Sequence, residues 1–391
     1  MLASVNADRR GFEMASERVG TAIIGGGIAG SAVAYYLAEQ GESDILLLEA
    51  NELGSGSTGR SFGGVRQQFS TPLEIEFSRR GLQFWRTAAQ VLDSAVTWHS
   101  NGYLFMTGQP DIMAKLEDAA GLQKSMGLTD VHVVGPSEIR EVVPWIATEG
   151  LLGGTYTPND GKVTPTEGVA ALIKAARARG VRYHEHWEVR SLERAGTAWR
   201  ITGPGVVEAD RVVVCTGYWT TDLLRPFGLE LTIRPQPLYG AITGPALAGS
   251  KVPLTLDMDT GFVVEREGEG LVIAILLEKN PPGYGHTEFA EQFAELARVR
   301  APSLADLRIA RHVVANVDMG GDGHPYVGLV EDGLWMLAGF GGHGAMHGPP
   351  VAELLAKTIA GRPDPTVDLA PLSPWRKPGA AEEWMVAAKK S

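Results

Sequence analysis

The sequence predicts an α/β fold in which a parallel-sheet domain is interrupted by a second domain built on an antiparallel sheet. Three observations predict it. A strand, a glycine turn, a helix and a second strand follow one another without a break from Val19 to Ala50. Short apolar strands recur at Ala209–Cys215 and Trp335–Leu337, each running into a glycine turn. Between them, Leu229 to Leu277 reads as short strands and turns.

The 391 residues suffice for two domains, or for one core with a large insertion. With 35 Lys+Arg against 46 Asp+Glu, the net charge of −11 repels phosphate backbones and anionic lipid, which argues against nucleic acid and membrane partners. The longest apolar run, Leu271 to Leu277, falls far short of the roughly 18 residues of a membrane span. Cys215 is the only cysteine, which excludes an internal disulfide and any multi-thiolate metal site and suits a reducing, cytoplasmic setting. Residues 1–18 read as a flexible leader, with Met14 as an alternative start. Arg9-Arg10-Gly11-Phe12 has the look of a twin-arginine signal, but no apolar region follows it.

Each part of the first unit has a physical task. Thr21–Ile24 is the strand, Gly25-Gly-Gly-Ile28-Ala29-Gly30 the turn, and Ser31 to Gln40 the helix. Gly25 permits the tight turn, Gly27 admits a pyrophosphate to the backbone, and Gly30 lets the helix pack against the strand. The second strand, Ile45–Leu48, ends in Glu49-Ala50, nineteen residues past Gly30. Glu49 can accept hydrogen bonds from both ribose hydroxyls and would repel a 2′-phosphate, so the pattern is a dinucleotide site that disfavours NADP.

A second glycine- and hydroxyl-rich stretch, Gly54-Ser-Gly-Ser57-Thr58-Gly-Arg60-Ser-Phe-Gly63-Gly64-Val-Arg66-Gln-Gln-Phe69, then stands where an NAD fold would proceed to another βα unit. It resembles the flavin-contacting segment of the FAD-dependent amino-acid oxidoreductases, a family that includes D-amino-acid oxidase, glycine oxidase, sarcosine oxidase and the β subunit of dye-linked L-proline dehydrogenase. Gly102-Tyr-Leu-Phe105 and Asn159-Asp-Gly-Lys-Val-Thr-Pro165 resemble that family's passage into a substrate domain and back. Ala209 to Trp219, Asp322 to Gly328, and Leu337-Ala-Gly-Phe-Gly341-Gly342-His343-Gly344-Ala-Met346 resemble its later flavin segments. The resemblance covers about residues 19–370. It implies a Rossmann-like FAD-binding domain of the glutathione-reductase-2 type at 19–100, 160–228 and 320–391, interrupted by a substrate domain at 101–159 and 229–319.

Elsewhere the pattern predicts helices over 72–98, 111–127, 288–299 and 351–359. A capping box, Thr164-Pro-Thr-Glu167, opens a further helix reaching about Arg179. Strands are expected at 183–192, 198–201, 211–214, 263–265 and 271–277.

The resemblance implies noncovalent FAD held by Gly25, Gly27, Ile28, Ala29, Gly30, Glu49, Ala50, Ser57, Thr58, Arg60, Gly63, Gly64, Val189, Gly217, Trp219, Gly341, Gly342, His343 and Gly344. A substrate carboxylate needs a charged, preferably bidentate partner, and Arg66 matches the family's anchoring arginine. Three positions depart from monomeric sarcosine oxidase. Met346 stands where a second cation is expected, Ala274 where an oxygen-activating lysine is, and Glu278 near a pocket histidine. Glu278 could pair with a substrate ammonium, and oxygen as acceptor is in doubt. Trp219 walls the flavin or packs in the core; His343 and His347 are spaced i, i+4 without a nearby third metal ligand; His184 and His186 share a strand face; and Cys215 is a buried, inert thiol.

The expected activity is FAD-dependent oxidation of the C–N bond of glycine or an N-substituted glycine to an imine that hydrolyses, with oxygen or another acceptor taking the electrons. A proline-dehydrogenase-like flavin subunit and an FAD-bound subunit without turnover, each with partner subunits, are the alternatives.

Overall fold

The computed structural model describes residues 17–277, 279–377, 379 and 383–386. It has the expected α/β architecture, organised on two eight-stranded sheets. In the first, Glu17–Ile24 lies between Ile45–Leu48 and Val206–Val214, parallel to both. Arg182–His184 extends it beyond Ile45–Leu48, and Leu334–Ala338 extends it beyond Val206–Val214, again in parallel. Tyr326–Glu331 closes that edge antiparallel. Where these strands run through the middle of the sheet they are apolar and covered, and Ala22, Leu46, Leu47, Val212 and Val213 have no exposed surface.

The second sheet runs in the order Ile309–Met319, Arg234–Thr243, Gly270–Ile275, Phe262–Glu267, Leu254–Asp257, Tyr103–Thr107, Gly153–Thr157, His132–Val134. It departs from a purely antiparallel sheet at one seam. Leu254–Asp257 pairs parallel to Tyr103–Thr107, where strands from two separate stretches of chain meet.

Several elements differ from the sequence expectation. The strand expected at 183–192 breaks after His184, because His186 and Trp187 donate their backbone N–H groups to the carbonyls of Asn51 and Glu49 instead of to a neighbouring strand. His186 takes φ +56°, so it and His184 do not share a strand face. The 72–98 helix stops at Val91. The capping box at Thr164 does not form: Pro165 opens the helix, Thr164 makes no side-chain cap, and Glu167 accepts from the Thr97 N–H at 3.4 Å.

The last long helix begins at Gly344 rather than Val351 and runs to Ile359 with Pro349 and Pro350 inside it. A proline lacks the N–H that would bond four residues back, so the carbonyls of Ala345 and Met346 lose their helical donors. The 72–91 helix supplies one replacement donor and packs closely against the second carbonyl. Trp85 donates its indole N–H to the Ala345 carbonyl at 2.8 Å, and a Cβ on Gly81 would lie 2.1 Å from the Met346 carbonyl oxygen. Glycine at 81 therefore lets the two helices touch along the wall of the site. Replacing Trp85 with Phe strands a buried carbonyl and should destabilise the fold by about 1–3 kcal/mol, read as a lower denaturant midpoint. An unchanged midpoint would contradict this pairing.

Candidate functional site

A cavity of about 1010 Å³ lies between the two sheets. The parallel strands deliver their C-terminal residues Ile24, Leu48 and Ala338 to it, together with Cys215 just past the Val206–Val214 strand. That is the crevice where open α/β sheets take ligands. Of the sequence-predicted cofactor residues, all but Gly30 line it.

Gly30 acts from behind the wall. A Cβ there would sit 1.9 Å from the Gly25 carbonyl oxygen, so only glycine lets the first helix, Ile28–Glu39, approach the strand end so closely. The N-cap residue of that helix, Gly27, has no side chain to cap it, so the positive end of the helix dipole faces the crevice. Each oxygen of Glu49 accepts one backbone N–H, Gly26 at 2.7 Å and Asn51 at 2.8 Å, and retains lone pairs for ribose hydroxyls. Thr58 accepts from the Ile28 N–H at 3.1 Å, and Ser57 donates to the Asn316 carbonyl at 2.8 Å, joining this loop to the second sheet. Arg60 is exposed and bonded to the Ser55 and Gly56 carbonyls. These features fit an FAD adenosine and pyrophosphate.

The opposite end would take the isoalloxazine. Asp318 accepts from the Gly339 and Phe340 N–H groups at 2.9 and 3.1 Å and shapes the loop leading into Gly341 and Gly342. The helix that follows is capped by no side chain and opens at Gly344 with His343 at its N-cap. Reduced flavin carries negative charge, which such a helix start favours. Trp219 lies stacked on Tyr218 at 3.9 Å and is half exposed at the cavity, not packed in the core.

Arg66 is 2% exposed and borders the cavity. Its guanidinium donates to the carbonyls of Gln68 and, at 2.9 Å, Met385, and lies 3.9 Å from the centre of the Phe69 ring. It also stands 3.1 Å from Nε2 of His343. Arginine has no acceptor, so Nε2 must accept and the His343 proton resides on Nδ1. Burial, then the Arg66 charge, holds His343 well below its usual pKa and therefore neutral. No described carboxylate forms an ion pair with Arg66. Met346 and Ala274 also line the cavity, while Glu278 falls outside the described residues.

Behind this wall lies a cluster that sequence patterning did not reveal. Glu74, buried on the 72–91 helix, bridges Nδ1 of His324 and Nδ1 of His347, each at 2.8 Å. Burial alone would raise Glu74, but the two imidazoles outweigh it and bring its pKa down to about 2. Burial likewise opposes protonation of His324, and Glu74 more than compensates. His347 is thus engaged by a carboxylate, and its ring packs 4.7 Å from Phe69, which also touches His343. Asp160, pushed up to about 7 by burial, accepts from both the backbone and side chain of Gln67, the residue beside Arg66. Cys215 is buried, and burial raises its thiol pKa.

Comparison with known proteins gives the family and the fold. The family model described as "FAD dependent oxidoreductase" (DAO) matches residues 21–358. The 4-methylaminobutanoate oxidase (formaldehyde-forming) of Paenarthrobacter nicotinovorans is 29% identical over 88% of this chain, which spans only 44% of that relative's length. The glycine oxidase of Bacillus licheniformis is 26% identical, with 89% of this chain and 94% of that one covered. The crystal structure of L-proline dehydrogenase from P. horikoshii superposes with a TM-score of 0.85 at 25% identity, covering 92% of this chain and 98% of the other.

Glu74→Gln removes the shared partner of two buried histidines and should cost about 3–5 kcal/mol. The depressed Glu74 pKa contributes stability above its unfolded value of about 4.5 that is lost as pH falls toward about 2. The raised His324 pKa contributes below about 6.5 and is lost as pH rises through the folded value. Thermal midpoints of wild type and variant should therefore differ most between about pH 4.5 and 6.5 and converge toward pH 2. A gap independent of pH would contradict the bridge.

Proposed function

The chain belongs to the FAD dependent oxidoreductase family, and from that premise we propose that it oxidises the C–N bond of glycine or an N-substituted glycine of the sarcosine kind. Arg66 carries this reading. A buried guanidinium at a cavity, bonded to neutral acceptors and without a described carboxylate partner, is suited to a ligand carboxylate. FAD, when bound, supplies the two-electron acceptor. The chain's residues do the rest by placement. Arg66 fixes the substrate's carboxylate, and the apolar side chains of Phe62, Leu254, Val263 and Ala274 surround the amine. Such a lining disfavours an ammonium and favours the neutral amine, from which a hydride can leave the carbon beside nitrogen. Water then hydrolyses the imine to an aldehyde and the shortened amine.

The lack of a second cation at Met346 and the small side chain at Ala274 leave room for an N-alkyl group or a longer chain. The similarity to an oxidase named for 4-methylaminobutanoate supports extending the test to that substrate. The close superposition on L-proline dehydrogenase makes a cyclic secondary amine the second reading. We assign amine contact to the second sheet and cofactor contact to the first, with the division of the chain into 19–100, 160–228, 320–391 and the two intervening stretches.

Anaerobic addition of sarcosine, glycine, proline or 4-methylaminobutanoate to the FAD-loaded protein should bleach the flavin absorption with one of them. Peroxide formed when air returns marks an oxidase, and its absence a dehydrogenase. If none of the four bleaches the flavin, the reading fails in favour of an FAD-bound subunit without amine turnover. Arg66→Ala should retain FAD but raise apparent KM at least about thirtyfold, since losing one partner of a desolvated charge pair costs about 2–5 kcal/mol. An unchanged KM would remove Arg66 from substrate binding.

A further inference from the structure

One segment at the substrate end has no task in that reading. Glu383–Val386 passes behind Arg66, with Glu383 at the cavity and the Met385 carbonyl on the guanidinium. Glu383 is 1% exposed and accepts from the Ser70 N–H at 2.8 Å, the Ser70 hydroxyl at 2.7 Å and the Thr71 N–H at 3.1 Å, where the 72–91 helix starts. It also accepts from the Met385 N–H at 2.9 Å, which bends the segment back on itself. The Met385 side chain is buried against Tyr103, Phe105 and Leu116, while its carbonyl takes an Arg66 donor at 2.9 Å. Trp384 lies under the Lys115 ammonium at 5.8 Å.

We propose that Glu383–Val386 is a displaceable strap, pivoting on Glu383, whose Met385 carbonyl holds the position on Arg66 that a substrate carboxylate takes over. The proposal rests on Arg66 as carboxylate anchor. A carboxylate offers the guanidinium a full negative charge and two oxygens in bidentate geometry, which a single neutral carbonyl does not, so a carboxylate ligand wins this competition. The strap meanwhile keeps the buried cation satisfied in the free protein, where an unpaired guanidinium would be costly. A ligand without a carboxylate leaves the strap in place, so the device selects for acids as well as closing the site.

The lone native cysteine, Cys215, is buried, so a single introduced thiol can report the strap. FAD-loaded Met385→Cys protein is treated with a thiol reagent in saturating sodium acetate or in equal sodium chloride, with acetate binding followed independently by the shift of the flavin band. Labelling should be about tenfold faster in acetate, because the ligand shifts the population toward the released strap. The second variant, Glu383→Ala, loosens the pivot and should bind acetate about tenfold more tightly than wild type. If acetate binds through Arg66, being lost in Arg66→Ala, yet neither labelling nor affinity changes, the segment is a fixed wall and the proposal is overturned. If acetate binding survives Arg66→Ala, the anchor reading itself falls and the strap with it.

Discussion

The rest of the site depends on how closely the first helix approaches the end of its strand. Gly30 lies against the Gly25 carbonyl with no room for a side chain, and this contact aims the start of that helix into the crevice. Once that approach is fixed, the ends of the parallel strands and the Glu49 carboxylate fall on one side of the cavity. The second sheet faces them across it. A bulkier residue at 30 would push the helix outward and move every backbone donor meant for the pyrophosphate. The glycine therefore acts through geometry, without touching the ligand.

A second constraint works at the other end. Two prolines inside the 344–359 helix leave carbonyls without helical donors; the 72–91 helix supplies one through Trp85 and packs close against the other at Gly81. The same pair of helices brings Glu74 to His347, and His324 reaches the same carboxylate from the loop before the edge strand. Packing and charge thus converge behind Arg66 and His343. Burial and then the guanidinium charge keep His343 neutral, Phe69 packs against both histidine rings, and the Glu74 bridge holds the inner one. The substrate end is rigid on this inner side, and its outer side is the short segment at Glu383.

Local signals were legible in the sequence because the cofactor end is built from contiguous motifs. Strand, glycine turn, helix, strand and acid appear in reading order, and their period and spacing follow directly from backbone geometry. Gly25 to Glu49 could be read that way, as could the glycine-rich run before Gly344. The Glu74 bridge could not, because Glu74 lies 250 residues before His324 and still further before His347 and meets them only through tertiary packing. Asp160 and Glu383 were hidden for the same reason: each serves a backbone turn far away in the chain. The 183–192 segment misled because its alternation suits a strand, while its N–H groups go to the loop that carries Glu49 and Asn51. The extra length of the 344–359 helix was masked by Pro349 and Pro350, which ordinarily end one.

The most direct measurement is a crystal structure of the FAD-loaded protein with the amine acid that it oxidises, trapped without oxygen. The account places the ligand carboxylate within hydrogen-bond distance of the Arg66 guanidinium and its oxidisable carbon over the flavin ring, between that ring and the Leu254, Val263 and Ala274 wall. A ligand whose carboxylate lies elsewhere, with Arg66 still bonded only to Gln68, His343 and Met385, would contradict it.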